Sequence, residues 1–229
     1  DDSMVVMGVD WGGGKDKNAA DTVLSVLETD ELDDGETASV LNVEFLDMDM
    51  TKVEQIRRVE EWILGYDVDK CIIDYGFGNQ AMESLQDGHD TLNSDGYIDV
   101  VKAARFGNVK NKSQIKWEKQ TDDKRFFTCD KTRSCSMMVD SIKDEDVKLP
   151  SDLDENHDDS TGTKLIRQLT SPYKTLKETP SGMKKVRIEK DRTKKDDAFD
   201  SLTFAWLGLH EVGNQSFFTG MSTYSRSGY

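Results

Sequence analysis

Acidic motifs stand at the ends of apolar segments in this chain. Two short apolar runs each stop at an aspartate that is followed by glycine within two residues, and a longer apolar stretch opens with a pair of aspartates. Short apolar runs with a glycine stop predict buried strands, whereas apolar residues at helical spacing predict a helix. The aspartates concerned are Asp10, Asp74, Asp196 and Asp197. Because burying a lone carboxylate is costly, we expect these acidic ends to lie together.

The order of the predicted elements favours an α/β fold, a mixed sheet flanked by helices. The first three strands are close enough in sequence to form an antiparallel meander. A helix at residues 51–64 starts with a capping-box pattern, Thr51 and Glu54, and serves as the crossover that returns the fourth strand to a parallel position. The predicted strands cover residues 4–9, 22–27, 40–46, 70–74 and 98–106. The predicted apolar face of the helix holds Val53, Ile56, Val59 and Ile63.

The second half of the chain predicts further helices, an added basic hairpin and a C-terminal tail. The hairpin is expected from residues 175–178 and 184–189, joined through a Pro-Ser-Gly turn. Residues 213–229 are rich in Gly, Ser, Thr and Tyr, which predicts a flexible tail. The remaining predicted helices cover residues 79–85, 137–147, 163–169 and 196–210. We therefore expect one domain at residues 1–212, followed by the tail.

Composition excludes some classes of protein and shows a polarised charge. No run of about 18 apolar residues occurs, so no membrane-spanning helix is expected. Three cysteines without a C-x-x-C pair and three scattered histidines argue against a disulfide framework or a zinc site, and favour an intracellular setting. The net charge is −15, yet residues 102–133 carry +6 and residues 164–195 carry +8, which leaves −29 for the rest. Such a chain can hold a basic groove against an acidic shell, which suits a high-salt host as well as ordinary solvation.

Aspartates in this arrangement suit the chemistry of divalent cations. Hard cations such as Mg²⁺ prefer oxygen ligands and are often held by a few carboxylates together with water and substrate phosphate. Two such ions can activate a water and stabilise the leaving oxygen of a phosphodiester. Each residue alone also has an ordinary structural role open to it, because Asp10 and Asp74 could shape turns and Asp196 could cap its helix. Their joint placement favours a hydrolytic site that uses two Mg²⁺ or Mn²⁺ ions.

Three segments resemble the acidic motifs of the nuclease domains of viral DNA-packaging terminase large subunits, as in tailed phages. They are Gly8-Val9-Asp10-Trp11-Gly12, Ile72-Ile73-Asp74-Tyr75-Gly76 and Asp196-Asp197-Ala198-Phe199-Asp200-Ser201-Leu202. The resemblance, over residues 4–210, implies an RNase H-like fold and a metal-dependent endonuclease that cuts double-stranded viral DNA during genome packaging. It implies catalytic metal ligands at Asp10, Asp74 and Asp197, with Asp196 and Asp200 as further candidate ligands. The family often has a histidine before the last motif, where this chain has Lys195.

The final motif offers three carboxylates, and helix geometry separates their roles. If the helix begins here, Asp196 is its N-cap and accepts hydrogen bonds from the amides near Ala198 and Phe199. Asp197 then lies on the first turn, free to reach the strand ends, while Asp200 shares its face of the helix. We expect Asp197 to bind metal directly, and an exchange of roles with Asp196 or Asp200 stays open.

Basic residues in the two positively charged segments predict contact with the phosphate backbone of double-stranded DNA, although a solvated charge run is the plain alternative. The candidates are Lys102, Arg105, Lys110, Lys112, Lys116, Lys184, Lys185, Arg187 and Lys190. No G-x-x-x-x-G-K-S/T phosphate loop occurs, so we expect the ATPase motor domain to be missing from this chain. The resemblance further implies the portal and the small terminase subunit as partners, in a packaging complex in the host cytoplasm.

Three other classes of protein fit part of the pattern. Actin-like or sugar-kinase-like phosphotransferases have an Asp-x-Gly phosphate motif after an apolar strand, as at Asp10-Trp11-Gly12, but they need two lobes and give an aspartate pair in the last helix no role. A Holliday-junction resolvase has similar chemistry and is commonly shorter. A non-catalytic DNA-binding module would bind DNA without cutting it. ATP binding, a preference for four-way junctions, and binding without metal-dependent cutting would favour these three classes respectively.

Overall fold

The computed structural model describes most of the chain outside several loops and the C-terminal end. The described residues are 3–13, 20–29, 37–77, 79–88, 95–107, 109, 115–117, 126–150, 161–178, 180, 182–190 and 194–210. The predicted tail at residues 213–229 lies outside them, as do the candidate DNA contacts Lys110 and Lys112, so those predictions stay predictions. None of the described helices combines the length and apolar character that crossing a lipid bilayer requires.

A mixed eight-stranded sheet forms the centre of the molecule. Its strands are β1 (Val5–Asp10), β2 (Val23–Thr29), β3 (Ala38–Phe45), β4 (Lys70–Asp74), β5 (Val101–Gly107), β6 (Ile115–Trp117), β7 (Phe126–Asp130) and β8 (Val147–Lys148). They lie in the order β6-β7-β5-β4-β1-β2-β3-β8. The antiparallel meander of β1, β2 and β3 is confirmed, and β4 is parallel to β1 as the helical crossover requires.

Helices cover both faces of this sheet. They are α1 (Lys52–Gly65), α2 (Asn79–Asp87), α3 (Lys131–Lys143), α4 (Thr161–Leu169) and α5 (Asp197–His210). Apolar residues of α1 and α2 pack with Met7 and Val9 on one face, whereas those of α3, α4 and α5 pack with Val6 on the other. Successive residues of β1 thus point to opposite faces and feed two cores, which is why this strand is apolar throughout.

Helix α5 packs unusually close to β1, and Gly8 makes this approach possible. A Cβ atom at Gly8 would lie 2.0 Å from the carbonyl oxygen of Ser201 and 2.6 Å from the amide nitrogen of Ala205. The Ser201 hydroxyl donates to the Gly8 carbonyl at 3.0 Å, and its oxygen lies 2.8 Å from that of Ser25. The helix is therefore attached to the strand two residues before Asp10.

The predicted helix at residues 51–64 is confirmed as α1, including its capping box. The Thr51 hydroxyl accepts from the Glu54 amide, and the Glu54 carboxylate accepts from the Thr51 amide. The predicted apolar face is right for Ile56, Val59 and Ile63 and wrong for Val53, which is 40% exposed. Trp62 packs in this core instead, and Glu60 is buried in the same helix.

Predictions for the second half needed correction at two points. Helix α3 begins at Lys131 rather than at residue 137, because Asp130 ends β7 and caps the helix by accepting from the Arg133 amide. Strands β6, β7 and β8 were not predicted. Strands β6 and β8 are only three and two residues long, which is too short for an alternating apolar pattern. The hairpin is confirmed as β9 (Pro172–Glu178) and β10 (Lys184–Lys190), which pair antiparallel outside the main sheet.

Candidate active site

The acidic residues that end the central strands β1 and β4 lie side by side. We call this end of the strands the acidic edge of the sheet. Parallel pairing sets Val9 opposite Ile73, so the next residues, Asp10 and Asp74, leave their strands in the same direction. Close packing of α5 over Gly8 brings the first turn of that helix, with Asp197 and Asp200, to the same edge. Parallel register and one helix contact thus gather carboxylates that are far apart in sequence, as the acidic motifs predicted.

Asp10 is affected by the charges of three other carboxylates. Its pKa is raised well above the ordinary value by burial first, then by the carboxylates of Asp200, Asp74 and Asp197, while Lys131 opposes the rise. These effects on the pKa of Asp10 mean that the four carboxylates interact with one another. Asp200 acts on Asp10 more strongly than Asp197 does, although the sequence favoured Asp197 as the partner.

The other members of this cluster are shifted in the same direction. Burial raises the pKa of Asp200 to about 6, against the opposing effect of Lys131. Burial also raises the pKa of Asp74 and of Asp197, although backbone amides donate to both carboxylates and partly offset the rise. These carboxylates repel one another, so the cluster has a deficit of positive charge.

Lys131 supplies part of the missing positive charge. It is the first residue of α3, and its ammonium lies 2.9 Å from Oδ2 of Asp200. Burial by itself lowers the pKa of Lys131, but the Asp200 carboxylate outweighs this effect and holds it above the ordinary value. Sequence reasoning missed this residue as a member of the site, because nothing in its local pattern distinguishes it from other lysines of the basic segment 102–133.

The start of α5 is organised differently from the prediction. Asp196 was expected to cap the helix, but its carboxylate contacts the Lys190 ammonium, and the Ala198 amide donates to the Gln168 side chain at 2.7 Å. Gln168 of α4 thus takes the capping role, because α4 packs directly against this end of α5. Asp197 accepts at 2.8 Å from the backbone amide of Asp21, which orients one of its oxygens.

Asp21 is a buried acid that the sequence analysis did not single out. Its carboxylate lies 3.0 Å from the ammonium of Lys195 and 3.2 Å from that of Lys164, and it accepts from the Gln168 amide at 3.0 Å. Two lysine ammonium groups and an amide surround the Asp21 carboxylate and balance its negative charge, whereas Asp10 lies among other carboxylates. Asp21 therefore connects the start of β2 to α4 and α5. Its backbone amide positions the Asp197 carboxylate.

A second lysine borders the cluster on the opposite side of the sheet. Lys52 opens α1, and its ammonium lies 4.1 Å from the ring centroid of Trp11. Burial lowers the pKa of Lys52 to about 8, and the charge of Asp74 opposes this effect. The capping-box pattern predicted the helix start, but no sequence signal placed this lysine beside the acidic strand ends.

The donor set fits hard divalent cations. Carboxylate oxygens are the ligands that Mg²⁺ and Mn²⁺ prefer, and the charges of Asp200, Asp74 and Asp197 all act on Asp10. Among the described residues, no three His, Cys, Asp or Glu side chains stand in the spacing of a preformed metal site. The carboxylates are instead neighbours held by protein partners, with Lys131 on Asp200 and the Asp21 amide on Asp197.

The candidate DNA contacts separate into distinct environments. Lys102 is only 7% exposed, and its ammonium donates to the carbonyl oxygens of Ile98 and Asp99, so this lysine belongs to the fold rather than to an exposed basic face. Arg105 is exposed and donates to the Thr128 hydroxyl. On β10, the basic residues Lys184, Arg187 and Lys190 are exposed. The side chains of Lys116 and Lys185 lie outside the described part of the molecule.

The fold, a mixed sheet flanked by helices, is RNase H-like. The chain is similar in structure to the large terminase nuclease from the thermophilic phage G20c, with a TM-score of 0.53, 18% identity, and coverage of 90% of this chain and 82% of that one. This likeness confirms the expected resemblance to terminase large-subunit nuclease domains at the level of fold.

Two further solved structures are similar over comparable lengths. The nuclease domain of the large terminase from bacteriophage SPP1, with bound Mn, gives a TM-score of 0.46 at 12% identity over 89% of this chain and 85% of that one. The human cytomegalovirus terminase nuclease domain, soaked in Mn and bound to an inhibitor, gives 0.49 at 10% identity over 91% and 84%. Neither a protein-family model nor a curated protein matches this sequence.

Proposed function

We propose that this chain is a metal-dependent endonuclease domain that cuts double-stranded viral DNA during genome packaging. The observation that carries the proposal is the cluster formed by Asp10, Asp74, Asp197 and Asp200, in which burial and then the neighbouring carboxylates raise the pKa of Asp10. The fold likeness to a phage terminase nuclease supports the same reaction class. In the full assembly the domain would work beside an ATPase motor, the portal and the small terminase subunit, inside the infected cell.

Asp10 and Asp74, together with Asp197 and Asp200, would hold two Mg²⁺ or Mn²⁺ ions. When bound, such ions supply an activated water and stabilise the leaving oxygen of the phosphodiester. The protein's own contribution is to hold the carboxylates in place. The N-terminus of α5 favours negative charge on Asp197 and Asp200, which lie in its first turn.

The final motif supplies two candidate direct ligands rather than the one favoured by sequence. Asp197 has one oxygen occupied by the Asp21 amide and a second oxygen available for an ion. Asp200 acts more strongly on Asp10 and is paired with Lys131, which would have to shift or share the carboxylate when an ion binds. We therefore place Asp200 with Asp197 among the direct ligands. Asp196, whose carboxylate is held by Lys190, becomes a supporting residue.

Exposed basic residues of the hairpin would bind the DNA backbone near this cluster. The hairpin reaches the site at its base, where Ile188, Glu189 and Lys190 line a small cavity with Asp196 and Asp200. Lys184 and Arg187 lie farther along β10 and are exposed. A duplex that lies along the hairpin would therefore meet the acidic sheet edge, and each phosphate contact adds salt-dependent affinity.

Incubation of the chain with supercoiled plasmid and Mn²⁺ or Mg²⁺ tests the proposal, with EDTA as the metal-free control. We expect nicked and then linear DNA. We also expect Asp10→Asn and Asp74→Asn each to lower the rate by at least about a hundredfold, since such reactions depend heavily on electrostatic stabilisation of the transition state. The matched control is Asp144→Asn, an exposed aspartate at the end of α3, which should cut like the wild type. Full activity in either site variant would contradict the site. Plasmid binding without cutting by the wild type would favour a non-catalytic module.

A further inference from the structure

Asp200 differs from the other carboxylates of the acidic cluster in the partners of its oxygens. Its Oδ2 atom accepts from the Lys131 ammonium at 2.9 Å, and its Oδ1 atom accepts from the Cys135 thiol at 4.0 Å. Asp197 is held instead by a neutral donor, the Asp21 amide. Within the described part of the chain, no other carboxylate of the cluster forms a salt bridge. Asp200 is thus the candidate ligand that a cation of the protein already occupies.

The position of Lys131 is set by strands and helices of the fold. Asp130 ends β7 and caps α3, so Lys131 is the first residue of that helix. Its ammonium lies 4.6 Å from the ring centroid of Phe106, on β5. Phe106 in turn stacks on Phe204 of α5, the helix that carries Asp200, with 4.9 Å between the ring centroids. The packing of β5, β7 and α5 therefore brings this ammonium to the Asp200 carboxylate.

The charge of Lys131 acts beyond the carboxylate that it contacts. It opposes the rise in the pKa of Asp10 and of Asp74 as well as that of Asp200. One ammonium thus offsets part of the negative charge that the proposed divalent ions would balance. Two positive charges at contact distance from one carboxylate repel each other, so an ion that uses Asp200 has to compete with Lys131.

We propose that Lys131 is an internal counter-ion that makes the two ion positions of the site unequal, so that the position that uses Asp200 is filled last, after the ammonium has released this carboxylate. The inference rests on the proposed nuclease function and deepens its metal requirement. A released ammonium can keep its contact with the Phe106 ring, so a small movement is sufficient. Loss of a charge-assisted hydrogen bond should weaken binding at that position by about tenfold or more.

Calorimetric titration with MnCl₂ tests this order without DNA and without cleavage. We expect the wild type to bind one ion in a strong step and a second in a step that is weaker by about tenfold or more. Lys131→Met keeps the length of the side chain and removes its charge. It should strengthen the weak step by about tenfold and change the strong step less than about threefold, whereas Lys131→Arg should retain the wild-type pattern. An unchanged weak step in Lys131→Met, or the same factor in both steps, would overturn the proposal.

Lys164→Met is the matched control for the loss of charge. The side chain of Lys164 is 40% exposed, against 42% for Lys131, and its ammonium lies 3.2 Å from the buried carboxylate of Asp21 and 4.2 Å from the centroid of an aromatic ring. Asp21 is not a proposed ligand, so Lys164→Met should change both steps less than about threefold. Equal strengthening of the weak step by the two methionine variants would indicate a general charge effect and contradict the proposal.

The other partner of the ion pair supplies a second test, which also decides the proposal if the melting temperature in EDTA shows that Lys131→Met does not fold. Asp200→Asn should abolish the weak step while the strong one persists, and a weak step that survives in this variant would refute the proposal. Two equal steps in a wild type that cuts plasmid would overturn this inference and leave the nuclease function standing. A wild type that binds no ion would overturn both.

Discussion

At the scale of single residues, the acidic cluster is an electrostatically unfavourable arrangement. Asp10 has its pKa raised by burial and by three neighbouring carboxylates. A carboxyl group with a folded-state pKa above its unfolded value takes up protons on folding, so the stability it contributes falls as pH rises through the window between the two values. For Asp200 that window runs from the ordinary value, 3.8, to about 6. At neutral pH the cluster therefore opposes folding, and a bound cation would relieve the repulsion.

Replacing Asp10 by Asn should stabilise the metal-free protein while abolishing cutting. Asn removes a charge that burial and three neighbouring carboxylates disfavour, and it keeps the shape of the side chain. We expect the melting temperature in EDTA at pH 7 to rise by a few degrees, as about 1 kcal/mol shifts it by about 2–4 °C in a domain of this size. Near pH 4 the difference should largely disappear, because the wild-type carboxyl is then protonated. A lower melting temperature for Asp10→Asn at pH 7 would show that the cluster is not repulsive.

At the scale of elements, the site depends on how α5 is set against β1 and β2. The helix is tied to β1 through Gly8 and Ser201, and to the segment before β2 through Asp21 and Asp197. These contacts decide where the first turn of α5 lies relative to the strand ends. The hairpin is attached to the main sheet less firmly than α5 is. Its described strands β9 and β10 pair with each other and are mostly exposed.

Gly8→Ala should weaken the packing of α5 on β1. The added Cβ meets backbone atoms of Ser201 and Ala205, which cannot yield as a side chain would. We expect a loss of about 1–3 kcal/mol in the free energy of unfolding, measured by urea denaturation, together with slower plasmid cutting. The control is Gly65→Ala at the end of α1, where a Cβ meets nothing within 4 Å and which should be neutral or slightly stabilising. Equal stability of the two variants would contradict the proposed packing.

The hairpin should contribute to DNA affinity mainly through charge. Lys184→Ala combined with Arg187→Ala removes two exposed cations from β10 without touching a core. We expect the slope of log K against log salt to become shallower by about 1.8, at about 0.9 for each lost phosphate contact on B-DNA. Fluorescence anisotropy with a labelled duplex in EDTA measures the slope. Lys143→Ala at the end of α3 is the single-charge control, and the same slope in wild type and double variant would show that the hairpin is merely solvated.

At the scale of the whole molecule, the charge distribution is strongly uneven. The net charge of −15 results from two basic segments set against a much more acidic remainder. The acidic remainder repels itself and repels DNA, so binding depends on the local basic surface rather than on the overall charge. The same imbalance should make stability depend on ionic strength.

Added KCl should stabilise the protein. Raising the concentration from about 0.05 to about 1 M shortens the Debye length from more than 10 Å to about 3 Å, which screens repulsion among distant acidic groups more than it weakens buried pairs such as Lys131–Asp200. We expect the melting temperature in EDTA to rise by several degrees. A sorbitol series of matched viscosity controls for non-ionic effects. A melting temperature that falls with KCl would mean that surface ion pairs outweigh net repulsion.

The sequence by itself determined the elements and the acidic motifs, because these depend on local signals. Apolar periodicity predicted β1 to β4, α1 and α5, and the Thr51 and Glu54 pattern predicted the cap, since each of these features is formed within a few residues. The short strands β6 and β8 escaped prediction because they are defined by their partners in the sheet. The sequence also predicted that Asp10 and Asp74 lie at the ends of neighbouring strands, since the direction of a parallel strand already determines where its last residue emerges.

Only the tertiary structure decided what surrounds these carboxylates. Lys131, Asp21 and Gln168 meet the α5 end through contacts that span about 30 to 180 residues, and no local pattern distinguishes them from other charged or polar residues. The same holds for Lys102, whose ammonium turned inward to backbone carbonyls rather than outward to DNA. The physical reason is that charge environment and burial are set by which elements pack together, and this packing is fixed by the sheet order and by the close approach of α5 at Gly8.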